Sequence, residues 1–181
     1  MRIVGGNFGG RRFSPPANIP ARPTTEMARE GLFNILSNFI DFEELTTLEL
    51  FGGTGSVTYE LASRGAKDLT LVERDPTSID FIKKTAKMLG IDDRLNVVRG
   101  DAFKFMKQST RQYNLIFADP PYALANMDDL PLLVFEQKML LPDGIFVLEH
   151  TTSRDYQQHP NFTRTKNYGT TIFTFFTQPS E

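Results

Sequence analysis

The sequence predicts an α/β domain: a mostly parallel seven-stranded sheet with helices on both faces, a C-terminal antiparallel pair, and a small N-terminal β-hairpin extension. Three observations predict it. From residue 46 onward, short apolar runs alternate with helical patterns. Several of those patterns carry their own start or stop residues. The last two apolar runs, "FTRTKNYG" and "TTIFTFFT", meet at Gly169 with no helix between them, as antiparallel neighbours do.

Taken in order, "MRIVGGNFGGRRF" reads as a hairpin with a glycine-rich turn, and "SPPANIPARP" as a proline-containing linker. The expected division is therefore an arm and linker over 1–23 and a body over 24–181. "TTEMAREGLFNILSNFI" reads as a helix capped by Thr24 or Thr25, with Glu26 in its first turn. Met27, Leu32, Phe33, Ile35, Leu36 and Phe39 should favour its buried side. "TTLELF" is a short strand, "GSVTYELASRGA" a helix closed by Gly65, and "DLTLVE" a strand. "PTSIDFIKKTAKMLG" has proline at its start and glycine at its end, the usual helix asymmetry. "LNVVR" is a strand, "AFKFMKQ" a short helix and "YNLIFA" a strand. "LPLLVFEQKML" reads as a helix and "GIFVLEH" as a strand.

With 181 residues and 40% hydrophobic content, the chain can build one core. It has no cysteine, so no disulfide and no thiolate metal site, and its two histidines are too few for a histidine-rich metal cluster. No run is apolar over a bilayer's thickness, and the first ten residues lack the apolar stretch of a signal peptide. A cytoplasmic protein, monomeric, without metal or membrane attachment, is the expectation. The net charge of −2 is unevenly spread. Residues 1–30 carry five arginines against two acids, whereas the rest carries 15 basic and 20 acidic groups. A basic N-terminal arm on an acidic body can meet phosphates, though such a segment can also be no more than solvated surface.

Ligands of parallel sheets bind beyond the carboxyl ends of the strands, and the candidate residues all fall there. "LELFGGTGSV" places Gly52, Gly53 and Gly55 between a strand and a helix, where backbone can approach a ligand closely. The dinucleotide fingerprint needs glycine or alanine at position 58, which is Thr58. Glu49, just before the loop, would repel a pyrophosphate and suit a cation. S-adenosylmethionine carries an ammonium and a sulfonium and no phosphate. Glu73 ends the next strand, where an acid can accept from both ribose hydroxyls. Asp101 follows the third strand and can accept from an adenine amino group beside Phe103, or simply cap the helix that follows. Each acid has an ordinary structural explanation; their recurrence at three successive strand ends points to one cofactor site.

"DPPY" at 119–122 ends the fourth strand. Proline has no N–H for a ladder, so the strand must stop here. Each proline also restricts the residue before it, which stiffens Asp119 and the Pro120 carbonyl, both acceptors. Two such acceptors can take both protons of an exocyclic amine on a base and leave its lone pair aimed at a methyl donor. Tyr122 can stack on that base. Orientation and stabilisation of developing positive charge would carry the rate.

These residues resemble those of the RsmD-type methyltransferases, which make N2-methylguanine in bacterial small-subunit (16S) ribosomal RNA. The resemblance runs over nearly the whole chain: "RIVGGNFGGRRF", "RPTTEMAREGLFNIL", "LELFGGTGSV", "SRGA", "LVERD", "GDAF", "ADPPY" and "NYGTTIFTFF". The second of these is the more specific signature. The resemblance implies a Rossmann-like class I S-adenosylmethionine-dependent methyltransferase, S-adenosyl-L-methionine as donor, and a guanine in the small ribosomal subunit or its assembly intermediate as acceptor. Carried over by position, it implies a cofactor site of Glu49, Gly53, Gly55, Glu73, Asp101 and Asp119, with Phe51, Thr54, Arg74 and Ala102 beside them. Asp119, Pro120, Pro121 and Tyr122 would form the catalytic loop, and Arg2, Arg11, Arg12 and Arg22 would meet RNA. Two departures stand out: glycine at position 9, where a basic residue is frequent, and Gly52-Gly53 in place of Ala-Gly.

Competing readings are a methyltransferase acting on adenine N6 in DNA or another RNA, a nicotinamide oxidoreductase, and a non-catalytic RNA-binding module. DPPY does not separate guanine from adenine. Thr58 and Glu49 disfavour the nicotinamide enzyme, and an intact DPPY disfavours the binding module.

Overall fold

The strands form where β-branched and aromatic residues concentrate. They are β1 (Thr46–Leu50), β2 (Asp68–Glu73), β3 (Leu95–Arg99), β4 (Tyr113–Ala118), β5 (Leu140–His150), β6 (Phe162–Tyr168) and β7 (Thr171–Thr177). The protein is described here by a computed structural model covering residues 1–20 and 24–180. All seven strands join one sheet in the order β3-β2-β1-β4-β5-β7-β6. The first five run parallel, and β7 is antiparallel to both β5 and β6. The expected class, mostly parallel with an antiparallel C-terminal pair, is the observed one. Strand order reverses between β1 and β4, so a crevice opens at the carboxyl ends of these two strands.

Among the described residues five α-helices cover the two faces: α1 (Glu26–Leu36), α2 (Ser56–Ser63), α3 (Pro76–Leu89), α4 (Ala102–Gln108) and α5 (Asp129–Glu136). Strand alternation assigns the faces. Leu48, Leu50, Ile116, Ala118, Phe146 and Leu148 form one apolar cluster with Met106 of α4 and Leu130 and Val134 of α5. Leu69, Leu71, Leu115, Phe117, Val147 and Phe173 belong to the opposite cluster, with Leu32 and Phe33 of α1, Leu61 of α2 and Ile82 of α3. A Cβ at Gly31 would meet the Tyr168 hydroxyl at 1.9 Å, so α1 approaches the β6–β7 corner through a position that must lack a side chain.

Helix starts follow the sequence signals. Thr25, Asp75 and Asp101 each accept a backbone N–H three residues on, capping α1, α3 and α4, and Gly90 in left-handed conformation ends α3. Three boundaries differ from expectation. The first helix stops at Leu36, and Met27 and Phe39 are 72% and 63% exposed, on the outer side of the periodicity or beyond the helix end. The helix expected to reach residue 140 stops at Glu136, because Lys138 takes a left-handed backbone and turns the chain. That turn lets β5 start at Leu140, four residues before "GIFVLEH", across a register shift against β4.

The N-terminal hairpin forms, with Arg2 bridged to Arg12 and Ile3 N–H donating to the Arg11 carbonyl at 2.9 Å. It packs into the α1–α3 layer, where Ile3 and Phe13 are buried. Glu60 of α2, fully buried, accepts from the Val4 and Gly5 backbone and pairs with Arg29 at 3.4 Å and Arg64 at 3.2 Å. One of the five N-terminal arginines, Arg29, is thus an interior residue, 2% exposed. Among the described residues no helix is long and apolar enough to cross a membrane.

Candidate active site

A cavity of about 710 Å³ opens over the carboxyl ends of β1, β2, β3 and β4. This is the size of a cofactor site. Glu49, Phe51, Gly53, Thr54, Glu73, Arg74, Asp101, Ala102 and Asp119 all line it, as do Pro120, Pro121 and Tyr122. Residues spread over more than 70 positions of sequence are brought together because four parallel strands end at the same edge. Gly55 is the exception among the expected cofactor residues. It caps the start of α2 with φ of 82°, and a Cβ there would meet the Tyr59 hydroxyl at 2.5 Å. Its role is to turn the chain tightly above Tyr59.

Glu49 is 4% exposed, and one carboxylate oxygen accepts from both the Thr58 backbone N–H at 3.2 Å and the Thr58 hydroxyl at 2.5 Å. Burial is the main reason its carboxyl is pushed up to about 8; the Thr58 bonds oppose this, while Glu73 and Glu149 reinforce it. Thr58, which breaks the dinucleotide fingerprint, is therefore the residue that orients Glu49.

Glu73 braces the glycine loop. Its carboxylate accepts from Gly53 N–H at 2.9 Å, Arg74 N–H at 2.8 Å and Asp75 N–H at 2.7 Å. Two carboxylate oxygens offer about four acceptor positions, so ribose hydroxyls would have to share an acid already committed to backbone. Asp101 caps α4 through the Lys104 N–H at 3.0 Å while also lining the cavity, so both of its expected roles are open to it.

Phe51 closes one wall. It follows β1 with φ of 57°, a conformation L-residues rarely hold, and its ring meets Phe103 edge-on at 6.2 Å. DPPY lines the same cavity, with Tyr122 37% exposed. Two lining residues, Pro20 and Thr24, come from the segment before α1. No local pattern signals them in this place, nor Glu149, which accepts a hydrogen bond from Thr24 across 125 residues.

Among the described residues the cavity's charged lining is five acids, Glu49, Glu73, Asp75, Asp101 and Asp119, against Arg74. Such a donor and acceptor set, with Phe51, Val72 and Phe103 as apolar walls, fits a cationic nucleoside and repels a pyrophosphate. It fits S-adenosylmethionine. Among the described residues no group of His, Asp and Glu side chains could hold a metal ion.

Arg2, Arg11 and Arg12, expected to meet RNA, do not line this cavity. Arg2 pairs with Glu26, whose carboxyl is lowered first by that hydrogen bond. Arg11 donates to the Met88 carbonyl at 3.1 Å and sits over the Phe8 and Phe13 rings. Arg12 is exposed on the hairpin, and Arg22 lies outside the described residues.

The model of one family, Conserved hypothetical protein 95, matches residues 1–177. Ribosomal RNA small subunit methyltransferase D of Escherichia coli K12 is 32% identical over 82% of this chain and 74% of its own length. A solved Thermus thermophilus protein, described only as hypothetical, superposes with a TM-score of 0.84 at 26% identity, covering 97% of this chain and 98% of that one. An RNA methyltransferase from Salinibacter ruber in complex with S-adenosyl-L-homocysteine shares the fold, with a TM-score of 0.67 at 20% identity over 88% of this chain and 95% of that one. The cavity at the strand-order reversal, the acids on successive strand ends and the match along nearly the entire length converge: this chain belongs to the Conserved hypothetical protein 95 family, the RsmD-type methyltransferases.

Proposed function

We propose that this protein transfers a methyl group from S-adenosyl-L-methionine to the N2 amine of a guanine in small-subunit ribosomal RNA. One observation carries the reading: the acids ending β1, β2 and β3 and the DPPY loop ending β4 open into the same cavity. The name of the Escherichia coli relative supports the RNA class, and the N2 position rests on the resemblance of the family motifs.

The bound cofactor supplies an electrophilic methyl group on a sulfonium. Asp101 would accept from the adenine amine, with Phe51 and Phe103 as apolar walls for the ring, and Glu73 would offer its remaining acceptor capacity to the ribose. Glu49, ionised beside a cation, balances the positive end. Asp119 and the Pro120 carbonyl accept the two N–H groups of the guanine amine, and Pro121 keeps the loop stiff. Tyr122 stacks on the base. With the cofactor in place, the amine lone pair would take the methyl group, the donor would leave as a neutral thioether, and the amine's surplus proton would pass to the Asp119 carboxylate. That charge stabilises the amine as it becomes positive, which is where the rate gain arises. The target base must be unpaired or flipped out to reach Tyr122. The hairpin, with Arg2, Arg11 and Arg12, supplies phosphate contacts to an otherwise acidic body, and Arg22 is proposed with them.

The test replaces the target guanine by inosine, which lacks only the N2 amine. Methyl transfer should vanish while the RNA still binds, and mass spectrometry of the natural product should show N2-methylguanosine. Recovery of methyladenosine would assign the protein to adenine instead. A methylated inosine substrate would overturn the role given to DPPY.

A further inference from the structure

Thr24 and Glu149 are both nearly buried, 7% and 3% exposed, and the Thr24 hydroxyl donates to the Glu149 carboxylate at 2.7 Å. We infer that this hydrogen bond is a positioning contact: Glu149 holds Thr24 as a wall of the cofactor cavity, so Thr24, just before the cap of α1, contributes to cofactor affinity. The inference rests on the reading of the cavity as an S-adenosylmethionine site.

The sheet places Glu149 where it can do this. In register, Glu49 of β1 pairs with Phe117 of β4, and Phe117 with Val147 of β5. Side chains alternate along a strand, so residues two further on, Asp119 and Glu149, share the face and edge of Glu49. Glu149 is close enough to reinforce the raised pKa of Glu49. It does not itself line the cavity; Thr24 does, and Pro20 with it. Glu149 therefore acts through Thr24.

Thr24 is fixed from two directions. Its neighbour Thr25 caps α1 by accepting the Ala28 N–H at 3.2 Å, which anchors the chain on the helix side. Its own hydroxyl is tied to Glu149 near the carboxyl end of β5. A carboxylate this deeply buried is costly without donors, so the sheet has a reason to keep the contact. Upstream, the same stretch of chain leads to the hairpin that bears Arg2, Arg11 and Arg12. A residue placed between the RNA-facing element and the cavity links the two by the shortest covalent path. A link of this kind is reciprocal: what the segment does for the cofactor, the cofactor does for the segment.

The pair has a direct test with the full-length protein. Dissociation constants for S-adenosylmethionine and S-adenosylhomocysteine are measured calorimetrically for wild type, Thr24→Ser, Thr24→Val, Glu149→Gln and the Val/Gln double variant, with the melting temperature of each ligand-free protein. Thr24→Val should weaken binding of both ligands roughly tenfold, the scale of a lost hydrogen bond to a charged group. Thr24→Ser should stay within about twofold of wild type, because it keeps the hydroxyl, and the double variant should be no weaker than the worse single one. A purely structural contact would lower the melting temperature and leave the affinity of the folded fraction unchanged, and that result overturns the inference. So does equal weakening by Ser and Val. If Glu149→Gln does not fold, the Ser and Val pair still decides. Failure of the wild type to bind S-adenosylmethionine would instead refute the cofactor assignment itself.

Discussion

The Thr58 hydroxyl lies 2.5 Å from the carboxylate of Glu49, at the sheet edge where the cofactor cavity begins. The helix that the glycine loop introduces thus returns a donor to the acid that precedes the loop. Burial pushes the Glu49 carboxyl up to about 8, so at neutral pH the ligand-free site holds much of it protonated. A bound cation favours the ionised form. Binding of S-adenosylmethionine near pH 7 should therefore release a proton, and affinity should rise with pH until about 8. Calorimetry in buffers of different ionisation enthalpy measures the proton count. In Glu49→Gln the release should disappear.

The same shift sets a stability trend. The folded pKa lies above the unfolded one, so the folded protein binds more protons between about 4.5 and 8. The contribution is complete below 4.5 and is lost as pH rises through 8. Ligand-free wild type should lose stability over that window relative to Glu49→Gln. Parallel denaturation curves of the two proteins across it would refute the assignment.

Asp119→Ala should lower kcat by roughly a hundredfold or more, the scale of removing one group that stabilises transition-state charge. The dissociation constant for RNA should change little. Asp119→Asn keeps an acceptor without the charge and should fall between the two. Single-turnover rates at saturating RNA separate these effects, and a fully active alanine variant would end the assignment.

Phe51 trades backbone comfort for a wall. Phe51→Gly relieves the left-handed conformation at φ of 57° and removes the ring that meets Phe103. Cofactor binding should weaken about tenfold or more, as for loss of an aromatic against a base. The left-handed backbone should offset part of the folding cost, so Phe51→Gly should melt above Phe51→Ala. Differential scanning calorimetry of the two variants, each with and without S-adenosylmethionine, checks both halves.

On the hairpin, Arg12→Ala should reduce RNA affinity and lower the slope of log affinity against log salt by about one unit, with no change in melting temperature. Arg11→Ala should do the same and also destabilise, since Arg11 holds the Met88 carbonyl and two aromatic rings. Glu60→Gln should cost about 3–5 kcal/mol of stability, because it leaves Arg29 and Arg64 without their buried counter-ion. Removing the whole hairpin should unfold much of the α1–α3 layer, because Ile3 and Phe13 belong to its core.

The order and type of the main elements were legible in the sequence because each depends on a few adjacent residues. "DLTLVE", "LNVVR", "AFKFMKQ" and "YNLIFA" coincide with β2, β3, α4 and β4 because apolar runs, caps and stops act over single turns. The acids and the DPPY loop in "LELFGGTGSV", "LVERD", "GDAF" and "ADPPY" were legible too, since they sit at strand ends and meet wherever parallel strands share an edge. What the local pattern could not decide is which apolar residues find a partner. Met27 and Phe39 fit the expected stripe yet face outward, since the layer beneath α1 is filled by Leu32, Phe33 and Leu36. Nor could it show that Arg29 is interior, which depends on Glu60 arriving from another helix. The Thr24–Glu149 contact lies furthest from the sequence's reach. It joins residues 125 positions apart, and only the β1–β4–β5 register brings the Glu149 carboxylate beside the Thr24 hydroxyl at the cavity wall.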